Sequence, residues 1–318
     1  MTDGMAHMAD SPIAVVLAAD DRFSRPLAAT VASIVSQLSP GRGLELYLCD
    51  MGIGAPNREK IAAAAAHPEA RLHWVRTLGE KVGHLPEAVP GISRAAYARL
   101  FIPLVLPPGL DRALYLDSDL IVRRCVGELF DSPMGDFAAL GVADAGSPYV
   151  SSLYGVPYWS RNGRRANDVN FNSGVLLLNL TAWRDEDITR AAVAYLTDGR
   201  HQFLVDQEAI NAVLPGRIGQ VDPHWNVQTE HFQPSHQATL PLDEAQLAEL
   251  VKDPWIVHFT TAVKAWNYEC THPFRGEWFA CLDQTPYRGW RPSRSAYLAG
   301  QARRLGQRVK DRLRPRAG

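Results

Sequence analysis

The chain lacks most of what would mark it as secreted, membrane-spanning or nucleic-acid-binding. Its four cysteines, Cys49, Cys125, Cys270 and Cys281, show no Cys-x-x-Cys spacing. Such a scatter fits buried, reduced thiols better than a disulfide framework or a zinc site. Residues 1–10 are polar, with neither a basic n-region nor an apolar h-region. No stretch reaches the ~18 apolar residues that a transmembrane helix needs. The net charge is only -1, which argues against nucleic acid as a partner of the body of the protein. Internal repeats and low-complexity linkers are missing as well. These absences predict a disordered stretch over 1–10, one domain over 11–287, and a cytoplasmic address.

With 318 residues, 46% hydrophobic and 21% charged, the chain has enough apolar content for a sizeable core. Its first part alternates in period. Ile13 to Ala19 is a short apolar run, Pro26 to Leu38 is helical up to Pro40-Gly41, Leu44 to Cys49 repeats the strand pattern, Asn57 to Ala66 is an alanine-rich helix, and Arg71 to Val75 is a third strand. The order βαβαβ predicts an α/β fold with a Rossmann-like, mostly parallel sheet flanked by helices. Ser93 to Phe101 reads as a helix that halts near Pro103. Farther on, Phe137 to Val142, Ser173 to Asn179 and Trp255 to Phe259 read as strands, and Trp183 to Thr197 and Asp206 to Val213 as helices.

The stretch Leu114 to Val122 carries the chemistry. An apolar run ends in Asp117-Ser118-Asp119, and ligands of open α/β sheets bind in the crevice beyond the carboxyl ends of the strands. Two carboxylates one residue apart suit a hard divalent cation, Mg2+ or Mn2+, whose shell phosphate oxygens complete. A phosphorylated compound is the expected ligand. The plain alternative is a turn or helix cap, which an Asp pair at a strand end also serves.

The last 31 residues differ from the rest. Arg288, Arg291, Arg294, Arg303, Arg304, Arg308, Lys310, Arg312, Arg314 and Arg316 face a single acid, Asp311. Leu298, Ala302, Leu305, Val309 and Leu313 make one apolar stripe at helical spacing. Residues 288–318 therefore read as a basic amphipathic helix, of the kind that lies on anionic bilayers. Tyr287, Trp290 and Tyr297 suit an interfacial position. A solvated end, or a helix packed on a second subunit, fits the same pattern.

Six segments in order carry a resemblance: Leu17 to Asp21, Tyr97 to Leu100, Tyr115 to Asp119, Phe171 to Leu180, Asp206 to Asn211, and His258 to Trp266. Over roughly residues 13 to 280 the chain is similar to the retaining glycosyltransferases of family 8, the galactosyl- and glucosyltransferases that include glycogenin and the bacterial lipooligosaccharide galactosyltransferases. The resemblance implies a GT-A fold, UDP-glucose or UDP-galactose as donor, and a hydroxyl acceptor on a bacterial glycan or glycolipid. It also implies Mn2+, with Mg2+ as substitute, bound by Asp117, Asp119 and His258. An imidazole among the ligands suits Mn2+.

By the same resemblance Ala18 and Asp20 meet uracil and ribose, Ser118 joins the donor contacts, and Lys264 meets the diphosphate. Arg99, Asp144, Asn172, Asp206 and Gln207 surround the transferred hexose. Arg22 stands where relatives often have Asn, and Thr261 where glycine is common. Several of these residues also have a bland role: His258 as a satisfied core histidine, Asn172 and Asn179 as strand-end turn residues, Asp21 and Asp206 as helix caps, Lys264 as a solvated lysine. Because the amide of Gln207 is a poor nucleophile, transfer on the face from which the diphosphate leaves is expected, with no dedicated base. The segment Ala145 to Asp168 is expected on the acceptor side. Two other readings compete: a silent sugar-nucleotide-binding scaffold, and a haloacid-dehalogenase-type phosphatase. The latter usually has Thr or Val two residues past the second Asp, where this chain has Ile121.

Overall fold

The computed structural model describes residues 11–302 except 84, 87–92, 199–204, 234, 236–239, 296 and 301. The disorder expected for 1–10 and the tail stripe beyond Ala302 lie outside the described residues. Strand β1 (Ile13–Ala19) is buried along its whole length, as expected of a strand covered on both faces of a sheet. It pairs in parallel with β2 (Leu44–Asp50), which pairs in parallel with β3 (Ala70–Val75). On its other side β1 pairs in parallel with β4 (Arg112–Leu116). The helices α1 (Ser24–Ser36) and α2 (Ala55–Ala64) make the two crossovers. Strand order therefore reverses between β1 and β4, the switch point where a crevice opens.

After β4 the sheet changes character. The three residues of β5 (Leu120–Val122) leave it, β6 (Ala139–Ala143) and β7 (Phe171–Asn179) follow, and β8 (Ile218–Gln220) closes the edge. The order is β3-β2-β1-β4-β7-β6-β8. Strand β7 runs antiparallel to both β4 and β6, so the sheet is parallel except at its longest strand. That exception matters for the site, because it brings the start of β7 level with the end of β4: Val175 pairs with Leu116. A second sheet holds β5, β9 (Val227–Gln228) and β10 (Ile256–His258), with β10 in the middle.

Helix α3 (Ala98–Val105) runs two residues past Pro103 and tolerates the one i→i−4 hydrogen bond that the proline removes. The single helix expected over Trp183 to Thr197 is two. Leu180–Asp185 ends before α4 (Ile188–Thr197), and Asp187 between them has φ 50°. Asn179 caps the first piece, accepting from the Ala182 amide at 3.0 Å, and has a purely structural role. Next, α5 (Val205–Val213) packs on α4 and on β7, and α6 (Arg275–Leu282) on α1. All four cysteines are free.

The aromatic residues assigned to a membrane interface are seated on the body instead. Tyr287 is buried and donates to Asn57 Oδ1 at 2.7 Å, Arg25 lies over the Trp290 ring at 4.6 Å, and Tyr297 stacks on Tyr268. They carry no argument for a bilayer.

Candidate active site

The loop Asp117-Ser118-Asp119 is pinned on all sides. Its Asp117 amide donates to Gly174 O in β7 at 2.8 Å, and Ser118 Oγ donates to Ala18 O in β1 at 2.8 Å. The Phe259 amide, just past β10, donates to Asp119 O at 3.0 Å. Helix α1 holds the exit: Thr30 Oγ1 donates to Ser118 O and Leu120 O, and Ser33 Oγ accepts from the Val122 amide. Buried polar groups demand partners, and here Thr30 and Ser33, fully buried, spend theirs fixing the acidic loop. The turn reading of this Asp pair does not account for so much support.

Asp117, Asp119 and His258 each turn one ligand atom to a common point, all within 4.8 Å of one another. Asn226 Nδ2 donates to Asn172 Oδ1 at 3.0 Å, so Asn226 Oδ1 accepts from His258 Nδ1, also at 3.0 Å. That fixes the tautomer with the Nε2 lone pair free, 3.2 Å from Asp119 Oδ1 and 3.7 Å from Asp117 Oδ2. Three acceptors facing one another, with the imidazole oriented from behind, are a donor set that a divalent cation fits. Gly174 leaves the room. A Cβ there would lie 2.2 Å from His258 Cε1 and 2.6 Å from Asp117 Oδ2.

Behind the carboxylates lies Arg99, 5% exposed. Its Nη2 donates to Asp117 Oδ1 at 2.8 Å, its Nε pairs with Asp206 Oδ2 at 3.0 Å, and its Nη1 donates to Ser173. The guanidinium stacks over Tyr115 at 4.5 Å. Burial raises the Asp206 carboxyl pKa, Arg99 works against this, and Asp117 adds to it. In Asp119 burial also acts upward, but the Lys264 ammonium outweighs it and holds the carboxyl well below the usual range. Asp206 lies inside α5, not at its cap.

Next to this group lies a cluster of side-chain amides around Asp144. Asp144 Oδ2 accepts from Asn172 Nδ2 and Gln207 Nε2, each at 3.1 Å, while Gln207 Oε1 accepts from the Ser173 amide at 3.1 Å. All three side chains are buried, and their mutual bonds fix the Gln207 amide. Together with Ala18, Asp20, Ser118, Arg99, Lys264 and the cation ligands they line one cavity of about 410 Å³. Every residue assigned from the sequence to donor, metal or sugar is in its wall.

Two assignments acquire an unexpected geometry. Asp20 Oδ2 accepts from Arg22 Nε and Nη2 and from Ser93 Oγ, and Oδ1 accepts from the amides of Arg22 and Phe23. Burial raises the Asp20 pKa, yet these donors and the Arg22 charge bring it below the ordinary value. A carboxylate offers about four lone-pair sites, so a base N–H enters only by displacing Arg22 or Ser93. Asp21 instead anchors the turn before α2, accepting from the Gly54 amide and Asn57 Nδ2. Lys264 is not solvated: its Nζ is 2.7 Å from Asp119 Oδ2. Thr261, in the same loop, is half-buried and donates to Val263 O.

Gly174, Tyr115, Ser173 and Asn226 were not singled out in the sequence. Gly174 alone left a signal, since an isolated glycine within a strand marks close approach by another group.

The family model described as Glycosyl transferase family 8 matches residues 14–270. General stress protein A of Bacillus subtilis (strain 168) is 27% identical over 282 residues, covering 87% of this chain and 96% of that protein. Lipopolysaccharide 1,2-glucosyltransferase of Escherichia coli (strain K12) is 26% identical over 240 residues, covering 72% and 66%. Among solved structures, the galactosyltransferase LgtC in complex with donor and acceptor sugar analogs aligns with a TM-score of 0.69 at 24% identity, over 86% of this chain and 96% of that one. That likeness establishes the GT-A fold.

Proposed function

The chain belongs to glycosyltransferase family 8, and on that footing we propose that it moves glucose or galactose from a UDP-sugar to a hydroxyl of a bacterial glycan or glycolipid, retaining the anomeric configuration. Membership sets the phosphatase reading aside. The observation that carries the proposal is the single wall on which the acceptor set Asp117, Asp119 and His258 adjoins the pinned amide of Gln207. An intact cation set beside an intact sugar wall also speaks against a silent scaffold.

Asp117, Asp119 and His258 would hold Mn2+, with Mg2+ as substitute, which supplies a Lewis acid for the charge that builds on the departing diphosphate. The chain's own groups do the remaining work. Ala18, Asp20 and Ser118 line the nucleotide end, and Arg99 orients Asp117 while neutralising Asp206. Gln207 is a neutral amide held by Ser173, Asn172 and Asp144, so it stabilises a cationic sugar without attacking it. Asp206 is committed to Arg99 and Ser173, which leaves no free carboxylate nucleophile there. Same-face transfer follows, with the leaving phosphate taking the acceptor proton.

Family 8 enzymes are glycosyltransferases, so UDP-glucose and UDP-galactose, each with Mn2+, make the first assay. UDP should be released, chelator should stop it, and the product should be α-linked by NMR. Gln207→Ala should slow transfer by about 100-fold with UDP affinity unchanged. A β-linked product, or turnover undiminished in chelator, would overturn the proposal. We also assign the enzyme to the cytoplasm, docked on the inner face of the membrane through residues 288–318. The support is the charge pattern of the tail, and no helix among the described residues is long and apolar enough to cross a membrane.

A further inference from the structure

Lys264 uses all the hydrogen-bonding capacity of its ammonium inside the protein. Its Nζ donates to Asp119 Oδ2 at 2.7 Å, to Phe259 O at 2.6 Å and to Thr260 O at 3.1 Å. An ammonium has three donors, so none remains for a phosphate oxygen. Asp119 is similarly placed: Oδ1 faces His258 Nε2 at 3.2 Å, and Oδ2 is taken by Lys264. The same contact therefore withholds a lysine from the diphosphate and a carboxylate oxygen from the cation.

We infer that the Lys264–Asp119 ion pair is a lock that makes cation and diphosphate binding depend on each other. A divalent cation on Asp119 would repel the ammonium bonded to Oδ2 and set it free toward a phosphate. A diphosphate draws the ammonium off Asp119 and frees Oδ2 for the cation. Of its three bonds the one to Asp119 is given up, because the two carbonyls, Phe259 O and Thr260 O, belong to the loop that carries Lys264 and keep it near the site. Each ligand removes an obstacle to the other, and linkage requires the two effects to be equal. Arg99 cannot act in this way, since its contacts to Asp117, Asp206 and Ser173 hold it from three sides in a buried position. Lys264 is thus a positioning residue toward the cation as well as a phosphate contact.

This inference rests on the nucleotide-sugar reading above, and its test separates the two. Free Mn2+ is counted by electron paramagnetic resonance over the full-length protein, with and without UDP, for wild type, Lys264→Met and Lys264→Gln. The lysine sits in a half-exposed loop, so both variants should keep the wild-type circular dichroism. In wild type UDP should tighten Mn2+ binding. Without UDP the variants should bind Mn2+ about tenfold more tightly than wild type, and the factor by which UDP tightens Mn2+ binding should shrink by about tenfold. A lysine that only touches phosphate lowers UDP affinity and leaves that factor unchanged. An unchanged factor in both variants, or no gain in Mn2+ affinity without UDP, would defeat the lock alone. A wild-type protein that binds neither UDP nor Mn2+ would defeat the nucleotide-sugar reading and the lock with it.

Discussion

The wall formed by the ends of β1, β4, β7 and β10 with the start of α5, and the segment 145–168, from which Gly146, Ser147 and Tyr154 line the same cavity, are built on opposite terms. In the wall, Asn172, Ser173, Asp206, Gln207, Asn226 and His258 are all buried, and each has named partners on a different element. In the segment, Leu153 is 75% exposed, Tyr154 46% and Tyr158 51%, with large apolar faces in solvent. Polar groups buried and mutually bonded cost nothing to hold in place when a ligand arrives, which is what preorganised electrostatic catalysis requires. Apolar and aromatic surface beside a cleft is where a partner's own surface is recognised. On the proposed reading, the donor chemistry sits on the mutually bonded side and the segment meets the acceptor.

The harshest way to break the rigid side is to fill its one gap. Gly174→Ala places a methyl group against His258 Cε1 and Asp117 Oδ2, and neither can yield without moving a ligand atom of the cation. Displacing catalytic groups by about 1 Å can cost 100-fold, so Mn2+-dependent release of UDP should fall by at least about 100-fold. Glycine carries no conformational advantage here, and the strand remains paired on both sides. The thermal midpoint should therefore move far less than the rate. Full activity in Gly174→Ala would mean that Asp117 and His258 do not share a ligand.

That glycine also measures how far the sequence could be read. The parallel half was legible because β1 and β4 carry apolar runs, α1 has a helical apolar period, and α2 is rich in alanine. The antiparallel direction of β7 was not, since nothing local tells a buried strand which way it runs. Yet that direction is what carries Asn172, Ser173 and Gly174 to Asp117. The strands β5, β9 and β10 are two or three residues long, too short for any period, so His258 was reached through family resemblance and not through its surroundings. Asn226, which sets the tautomer of His258, lies in a 3-10 turn with no motif to mark it. The break at Asp187 depends on one residue in the left-handed region, a choice that Asp tolerates but does not announce.

The adaptable side should respond differently. Tyr154 lines the cavity, and its ring is half in solvent. Tyr154→Ala should leave the KM for UDP-hexose hydrolysis unchanged and raise the KM for a glycan acceptor by about tenfold, the loss expected of one aromatic contact at an exposed site. An equal rise in both constants would place Tyr154 in the donor site and erase the contrast between the two regions.

The tail carries the contrast farthest, and its removal should affect chemistry least. Arg288 and Arg291 sit near Asp283, which Arg291 engages at 2.6 Å, and Trp290 packs on the body. The portion that can leave the body without cost therefore begins later than the composition suggests. Residues 303–318 hold seven of the ten basic side chains. Near an anionic surface each contributes about 1 kcal/mol, enough together to outweigh a modest apolar stripe. We expect a protein ending at Ala302 to hydrolyse UDP-hexose at the wild-type rate and to lose cosedimentation with anionic vesicles. Wild-type protein should detach as salt rises, because surface charges are screened over about 8 Å at physiological ionic strength. Binding that survives both truncation and salt would assign docking to the apolar surface of the 145–168 segment, and the two regions would then share one partner. If neither protein binds vesicles, the tail is a solvated end or a contact to a second subunit, and the acceptor must reach the cleft without it.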